Sequence, residues 1–222
     1  MAERASRLGR LHVITDEVLQ TRRSHGELAA LAIAGGADAV QYREKRPLVT
    51  RELIATAYEV ASACAAGGAL CIVDDRIDVA AAVGADAVHL GRNDLPVDVA
   101  RRLLGASALI GGTANSFAEA ESVWATSIDY LGVGPVFGTA SKANPAPVLG
   151  LDELRAITAA CPVPVIAIGN ISAETVAAVM DAGAHGVAVL SRVTCADSPA
   201  AAAREFAGAI AAWLAEREAG RR

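Results

Sequence analysis

Apolar residues fall along this chain in two alternating patterns. Runs of four or five Val, Ile, Leu and Ala read as short strands buried on both faces. Between them lie Ala-rich stretches with apolar positions at helical spacing, which read as helices packed on a sheet. The pattern predicts strands at roughly Leu11–Thr15, Ala39–Arg43, Leu70–Asp74, Ala87–Leu90, Leu109–Gly112, Tyr130–Val133, Val165–Ile168 and Gly186–Leu190. It predicts helices over roughly His25–Ala34, Val49–Ala66, Ile77–Val83, Val97–Leu104, Ser116–Thr126, Leu151–Ala160, Ala173–Ala182 and Pro199–Glu216.

A short repeat marks where helix gives way to strand. Gly36-Ala37-Asp38-Ala39-Val40 recurs as Gly84-Ala85-Asp86-Ala87-Val88, with a looser copy at Gly183-Ala184-His185-Gly186-Val187. The glycine stops each helix and the chain re-enters the sheet. Strands alternating with helices in this way predict an α/β fold, a (β/α)8 TIM barrel. A doubly wound open sheet is the alternative, but it needs fewer strands or a second domain. No Pro/Gly/Ser-rich linker divides the chain, so residues 1–222 are expected to form one barrel domain, with 1–10 and 217–222 as frayed ends. The longest irregular stretch, Gly134–Gly150, reads as a functional or mobile loop.

Composition narrows the function classes. The chain has 222 residues, 53% of them hydrophobic but only 4% aromatic, so its core is built from aliphatic side chains. The net charge of −5 offers no broad basic face for nucleic acid. The charged start MAERASRLGRL lacks the apolar segment of a secretory signal. The longest uncharged stretch, Ala156–Ala173, is interrupted by Pro162, Pro164, Gly169 and Asn170 and does not read as a membrane span. Cys64, Cys71, Cys161 and Cys195 form no CxxC pair and read as reduced thiols of a cytoplasmic protein.

Candidate chemistry gathers at the predicted carboxyl ends of strands, where such a barrel works. Asp129–Lys142, DYLGVGPVFGTASK, runs from a buried strand into glycine, then two hydroxyls and an ammonium: Thr139, Ser141 and Lys142. Those groups suit a phosphate. Gln41, Arg43 and Lys45 alternate along a strand and share one face, an arrangement suited to a diphosphate. The competing reading is a solvated strand end paired with Glu44 and Glu52. Asp74, Asp75 and Arg76 follow strand 3, and His89, Gly91, Arg92 and Asp94 follow strand 4. Asp75 and Asp94 end adjacent strands and suit Mg2+ completed by phosphate oxygens and water; Asp75 reads equally as a helix N-cap. His89 reads as a packed core histidine or as a participant. Thr113 follows strand 5. Gly169 and Asn170 after strand 7, with Leu190, Ser191 and Arg192 at strand 8, suit a phosphate pocket built from backbone N–H groups. Two anion sites result, one at strands 2 to 4 and one at strands 6 to 8, with Lys142 able to reach between them.

These blocks, in this order, resemble the thiamine-phosphate synthase family from LHVITDE (Leu11–Glu17) to the last helix. Q-x-R-x-K corresponds to Gln41, Arg43 and Lys45, and H-L-G-Q-x-D to His89–Asp94. G-P-V-F-x-T-x-[ST]-K corresponds to Gly134–Lys142. The resemblance implies coupling of a hydroxymethylpyrimidine diphosphate with hydroxyethylthiazole phosphate, through a pyrimidine cation, to give thiamine phosphate and diphosphate. It implies that Gln41, Arg43, Lys45, Asp74, Thr113 and Lys142 bind the diphosphate end, with Arg43, Lys45 and Lys142 catalytic. It further implies that Asp75 and Asp94 hold Mg2+, and that Thr139, Ser141, Gly169, Leu190 and Ser191 hold the thiazole phosphate. The partners implied are small-molecule substrates, with a homo-oligomer left open. The chain departs from the family at Asp74 (for Asn), Arg92 (for Gln), Thr113 (for Ser), Asn170 (for Gly) and Arg192 (for a small residue). A thiazole tautomerase on the same barrel is one alternative, although Thr113–Ser116 carries no histidine. A non-catalytic barrel binding thiamine precursors or phosphates is the other.

Overall fold

The computed structural model describes residues 7–139 and 146–220. The expectations for Ser141 and Lys142 therefore lie outside the described residues. Eight strands form a closed parallel barrel in sequence order. They are β1 (Leu11–Thr15), β2 (Ala39–Tyr42), β3 (Leu70–Asp74), β4 (Ala87–Leu90), β5 (Leu109–Ala114), β6 (Tyr130–Val133), β7 (Val165–Ile168) and β8 (Gly186–Val189). Around them run α1 (His25–Ala34), α2 (Thr50–Gly67), α3 (Ile77–Val83), α4 (Val97–Leu104), α5 (Phe117–Trp124) and α6 (Gly150–Ala160). A 3-10 turn, Ala173–Thr175, leads into α7 (Val176–Asp181); α8 (Ser191–Thr194) and α9 (Pro199–Ala219) follow. Among the described residues, no helix is long and apolar enough to cross a membrane.

Alternation along the strands divides the apolar residues into two shells. Val13, Val40, Val73, Val88, Ile110, Leu131 and Val187 face outward and pack under the helices. Ala39, Leu70, Ile72, Ala87, Leu109, Tyr130 and Ile166 face inward and fill the barrel, with Leu8 closing its lower end at 1% exposure. Tyr130 is the large side chain of this interior. A Cβ added at Gly111 would lie 2.1 Å from the Tyr130 ring, so glycine there makes room for it.

The repeat seen in the sequence has a structural cause. Its glycines Gly36, Gly84 and Gly183 adopt φ of +98°, +65° and +94°, the left-handed conformation that ends a helix without a Cβ penalty. Its aspartates staple the lower rim. Asp38, just before β2, accepts the N–H of Leu11 in β1 at 2.9 Å, and Asp86, before β4, accepts that of Cys71 in β3 at 2.9 Å. Asp129, before β6, accepts that of Ile110 in β5 at 2.8 Å and pairs with Arg101. Each of these carboxylates thus fixes the register of its strand against the one before it. They lie at the end of the barrel opposite the candidate site.

His12 is buried in the barrel floor and its Nε2–H donates to the Leu8 carbonyl at 2.9 Å. Burial pushes its pKa down to about 4. The unfolded chain therefore binds a proton that the fold refuses, between about pH 6.5 and pH 4. Stability should fall as pH drops through that window, by roughly 3 kcal/mol in full from this residue. Thermal melts of His12→Gln should lose most of that slope. A slope equal to wild type would show that other groups carry the acid response.

Candidate active site

The barrel architecture brings the carboxyl ends of β1 to β4 together on one rim. The register of β2 with β1 and β3 points Gln41 inward, and Arg43 and Lys45 follow just past the strand end, where the Arg43 N–H still donates to the Thr15 carbonyl. Gln41, 7% exposed, joins His12, Ile14, His89, Tyr130, Gly132, Ile166, Ile168 and Ala188 in lining a cavity of about 50 Å3 that runs from the barrel mouth down toward His12. The wall is mostly apolar, with a few convergent polar groups, which suits a flat heterocycle.

Lys45 sits between two carboxylates. Its ammonium lies 3.0 Å from Asp74 and pairs more closely with Asp75. Burial works to lower its pKa, but Asp74 and Asp75 outweigh that and hold it above the usual lysine value. Arg43 pairs with Asp16, and its Nε lies 3.8 Å from Asp74. The alternative pairing with Glu44 and Glu52 is not what forms. Glu44 instead takes Arg46 and buried His25, while Glu52 accepts the Val49 N–H at the start of α2.

Asp74 ends β3 with its side chain 12% exposed. Burial raises its pKa, Asp75 raises it further, and Lys45 and Arg43 pull it back. The extra negative charge that Asp74 brings relative to the family Asn thus faces two cations, each of which also pairs with another carboxylate.

Asp75 is not a helix N-cap, because Arg76 holds that position for α3. Instead Asp75 takes a left-handed backbone at φ +59° and donates its N–H to the His89 carbonyl at 2.9 Å. Asp94 folds back so that its Oδ2 accepts the Gly91 N–H at 2.7 Å. Burial raises the Asp94 carboxyl, the Gly91 bond opposes this, and neighbouring Asp75 raises it again. Two carboxylates crowded in this way gain from a cation between them. Among the described residues, no group of three or more His, Cys, Asp or Glu side chains is placed to hold a metal by itself. A pair of carboxylates nevertheless fits Mg2+, which completes its octahedron with phosphate oxygens and water.

Thr113 lies within β5, which extends to Ala114. Its hydroxyl bonds His89 Nε2 at 2.8 Å, and His89 Nδ1 meets the Tyr130 hydroxyl at 3.1 Å. His89 is thus a hydrogen-bonded wall residue of the mouth. Gly132 makes space for it, since a Cβ there would lie 2.8 Å from its ring.

The other half of the rim is shaped by close backbone packing. Gly169 adopts φ +113°, and a Cβ on it would lie 2.5 Å from Pro135 Cα. The Phe137 N–H donates to the Gly169 carbonyl at 3.1 Å, so the β7 turn carries the start of the loop that leads to Thr139. Two departures from the family explain each other here. Asn170 tolerates a left-handed φ of +48°, and its side-chain oxygen accepts from Arg192 at 3.1 Å. Leu190 caps the short helix α8, and exposed Ser191 opens it. Leu190, Ser191 and Gly169 therefore belong to one patch of rim.

Strand 1 supplies residues that the sequence pattern did not single out. Asp16 and Glu17 follow β1 directly, and His25 bonds Thr15 at 2.7 Å and Glu44 at 3.2 Å behind the Arg43–Lys45 face. The signal available was position alone: Asp16 ends a strand, as the singled-out residues do.

Comparison with known proteins gives a consistent picture. A family model described as thiamine monophosphate synthase matches residues 11–193. The chain is 49% identical over 211 residues to a thiamine-phosphate synthase of Salinibacter ruber, covering 95% of this chain and 92% of that one. It is 48% identical over 206 residues to the thiamine-phosphate synthase of Methanoculleus marisnigri, covering 93% and 97%. Among solved structures, thiamine phosphate pyrophosphorylase from Pyrococcus furiosus superposes with a TM-score of 0.85 at 36% identity, covering 95% of this chain and 98% of that one.

Proposed function

Because this chain belongs to the thiamine-phosphate synthase family, we propose that it joins a hydroxymethylpyrimidine diphosphate to hydroxyethylthiazole phosphate, releasing diphosphate, as a cytoplasmic transferase. The observation that carries this reading is the convergence of Arg43 and Lys45 with Asp74, Asp75 and Asp94 at the ends of β2 to β4. With two cations against three carboxylates, these five side chains carry one net negative charge when the rim is empty and become cationic toward a diphosphate once the acidic pair holds a divalent ion.

In this account the pyrimidine lies in the mouth cavity, with Gln41 and His89 on its wall and Thr113 bonded to His89 behind it. Asp75 and Asp94 would hold Mg2+. The chemistry that ion supplies when bound is neutralisation of negative charge on phosphate oxygens. Arg43 and Lys45 grip the diphosphate, and Lys142 is assigned beside them from its place in the sequence. Charge grows on the departing diphosphate as the carbon–oxygen bond breaks, so cations fixed there act where they are most effective. The thiazole phosphate is held by Thr139, Ser141, Gly169, Leu190 and Ser191. That places the thiazole nitrogen to attack the freed methylene carbon.

The test is a coupling assay with both phosphorylated precursors and Mg2+, reading thiamine phosphate by fluorescence after oxidation. Product formation is expected. Normal precursor binding without product would favour the non-catalytic barrel. Isomerised thiazole without coupling would select the tautomerase.

A further inference from the structure

Asp16 has the most enclosed carboxylate near the rim, with its side chain 0% exposed. Its Oδ1 accepts the N–H groups of Val18 at 2.7 Å and Leu19 at 3.0 Å. Its Oδ2 accepts from Arg43 Nη1. Arg43 is the one ion-pair partner of Asp16 among the described residues. A buried carboxylate left without its cation is costly, and an ion pair in such a place is retained for geometry more than for stability.

The segment carrying Asp16 is itself anchored. Gln20 donates to the Arg23 carbonyl at 2.8 Å and accepts the N–H groups of Arg22 and Arg23, both at 3.1 Å. Arg22 then reaches the Asp197 carboxylate at 2.8 Å, and Arg23 the Asp197 carbonyl at 2.7 Å, tying the β1 loop to the segment after α8. Arg43 therefore has one edge fixed to a rigid, buried acceptor. Its guanidinium is planar with five donors, so fixing one edge sets where the others point.

We infer that Asp16 is a positioning residue for the diphosphate site, holding the Arg43 guanidinium so that its remaining donors face the rim. The segment after β1 then contributes to the chemistry through Arg43 rather than by touching the diphosphate itself. The inference rests on the proposed reaction.

Calorimetric titration of the full chain with inorganic diphosphate and Mg2+ separates the two. Wild type should bind; no binding would overturn the diphosphate reading and this inference with it. Asp16→Asn keeps an acceptor for the Val18 and Leu19 N–H groups while removing the charge. It should weaken diphosphate binding by on the order of tenfold or more. The KM for thiazole phosphate should stay within about twofold. In an Arg43→Ala background the same change should cost less than about twofold further, since its partner is gone. Unchanged affinity in folded Asp16→Asn would overturn the inference, as would an equal loss in both backgrounds. If Asp16→Asn does not fold, Asp16→Glu keeps the charge but displaces the guanidinium. It must then show the same selective weakening, and wild-type affinity would overturn the inference.

Discussion

Asp94→Ala is expected to abolish Mg2+-dependent turnover while leaving the barrel folded. Asp94 is half-buried and its carboxylate accepts the Gly91 N–H within the same loop. Losing that bond should cost about 1 kcal/mol, far less than a barrel of this size can absorb. The loss at the site is of another order. The crowded pair Asp75 and Asp94 becomes a single carboxylate, too few to seat a divalent ion firmly beside a diphosphate. Asp94→Asn keeps the Gly91 bond and serves as the control for local structure. Turnover measured against Mg2+ concentration is the readout, with far-ultraviolet circular dichroism to check the fold. Wild-type activity in Asp94→Ala would remove the metal assignment.

Lys45→Ala carries the second large effect. The ammonium is the counter-charge for Asp74 and Asp75, and without it Asp74, Asp75 and Asp94 crowd together with only Arg43 opposing them. A diphosphate approaching that rim then meets three carboxylates against a single cation. The expected loss in kcat/KM for the pyrimidine diphosphate is on the order of a hundredfold or more. The KM for thiazole phosphate should hardly move, because that phosphate is assigned to the far side of the mouth. Lys45→Arg should restore little, since a planar fork replaces a point charge wedged between two carboxylates. A loss confined to thiazole affinity would move Lys45 to the other subsite.

The barrel was legible in the sequence because its periodic unit is written out. Gly-Ala-Asp-Ala-Val states three physical events in order: a left-handed helix stop, a carboxylate that staples the neighbouring strand, and a buried strand. Five strands coincide with the apolar pattern to the residue. β5 runs two residues past the predicted end at Gly112, because ladder pairing with β6 continues through Thr113 and Ala114 regardless of the glycines before them. α8 was invisible, since four residues have no periodicity. The last helix passes the predicted end at Glu216 and runs to Ala219, where Arg217 pairs with Asp181 and Trp213 donates to the same carboxylate at 2.9 Å. That anchoring comes from α7 and cannot be read from the tail alone.

The site was legible where its residues alternate on one strand and hidden where partners come from elsewhere. Gln41, Arg43 and Lys45 declare a shared face through their spacing. Their counter-charges do not: Asp16 lies 27 residues before Arg43, and only barrel closure brings them together. Glu44 and Glu52, neighbours in sequence, lose that role to geometry, because Glu44 points away to Arg46 and His25. Asn170 and Arg192 look like two separate departures until β7 and β8 pair and place them 3.1 Å apart.

The decisive measurement is a crystal structure with diphosphate and Mn2+ replacing Mg2+, read by anomalous scattering. One ion held by Asp75 and Asp94, with the diphosphate against Arg43 and Lys45, is the result expected. A rim without the ion, or diphosphate seated only beside Gly169 and Ser191, would contradict the assignment.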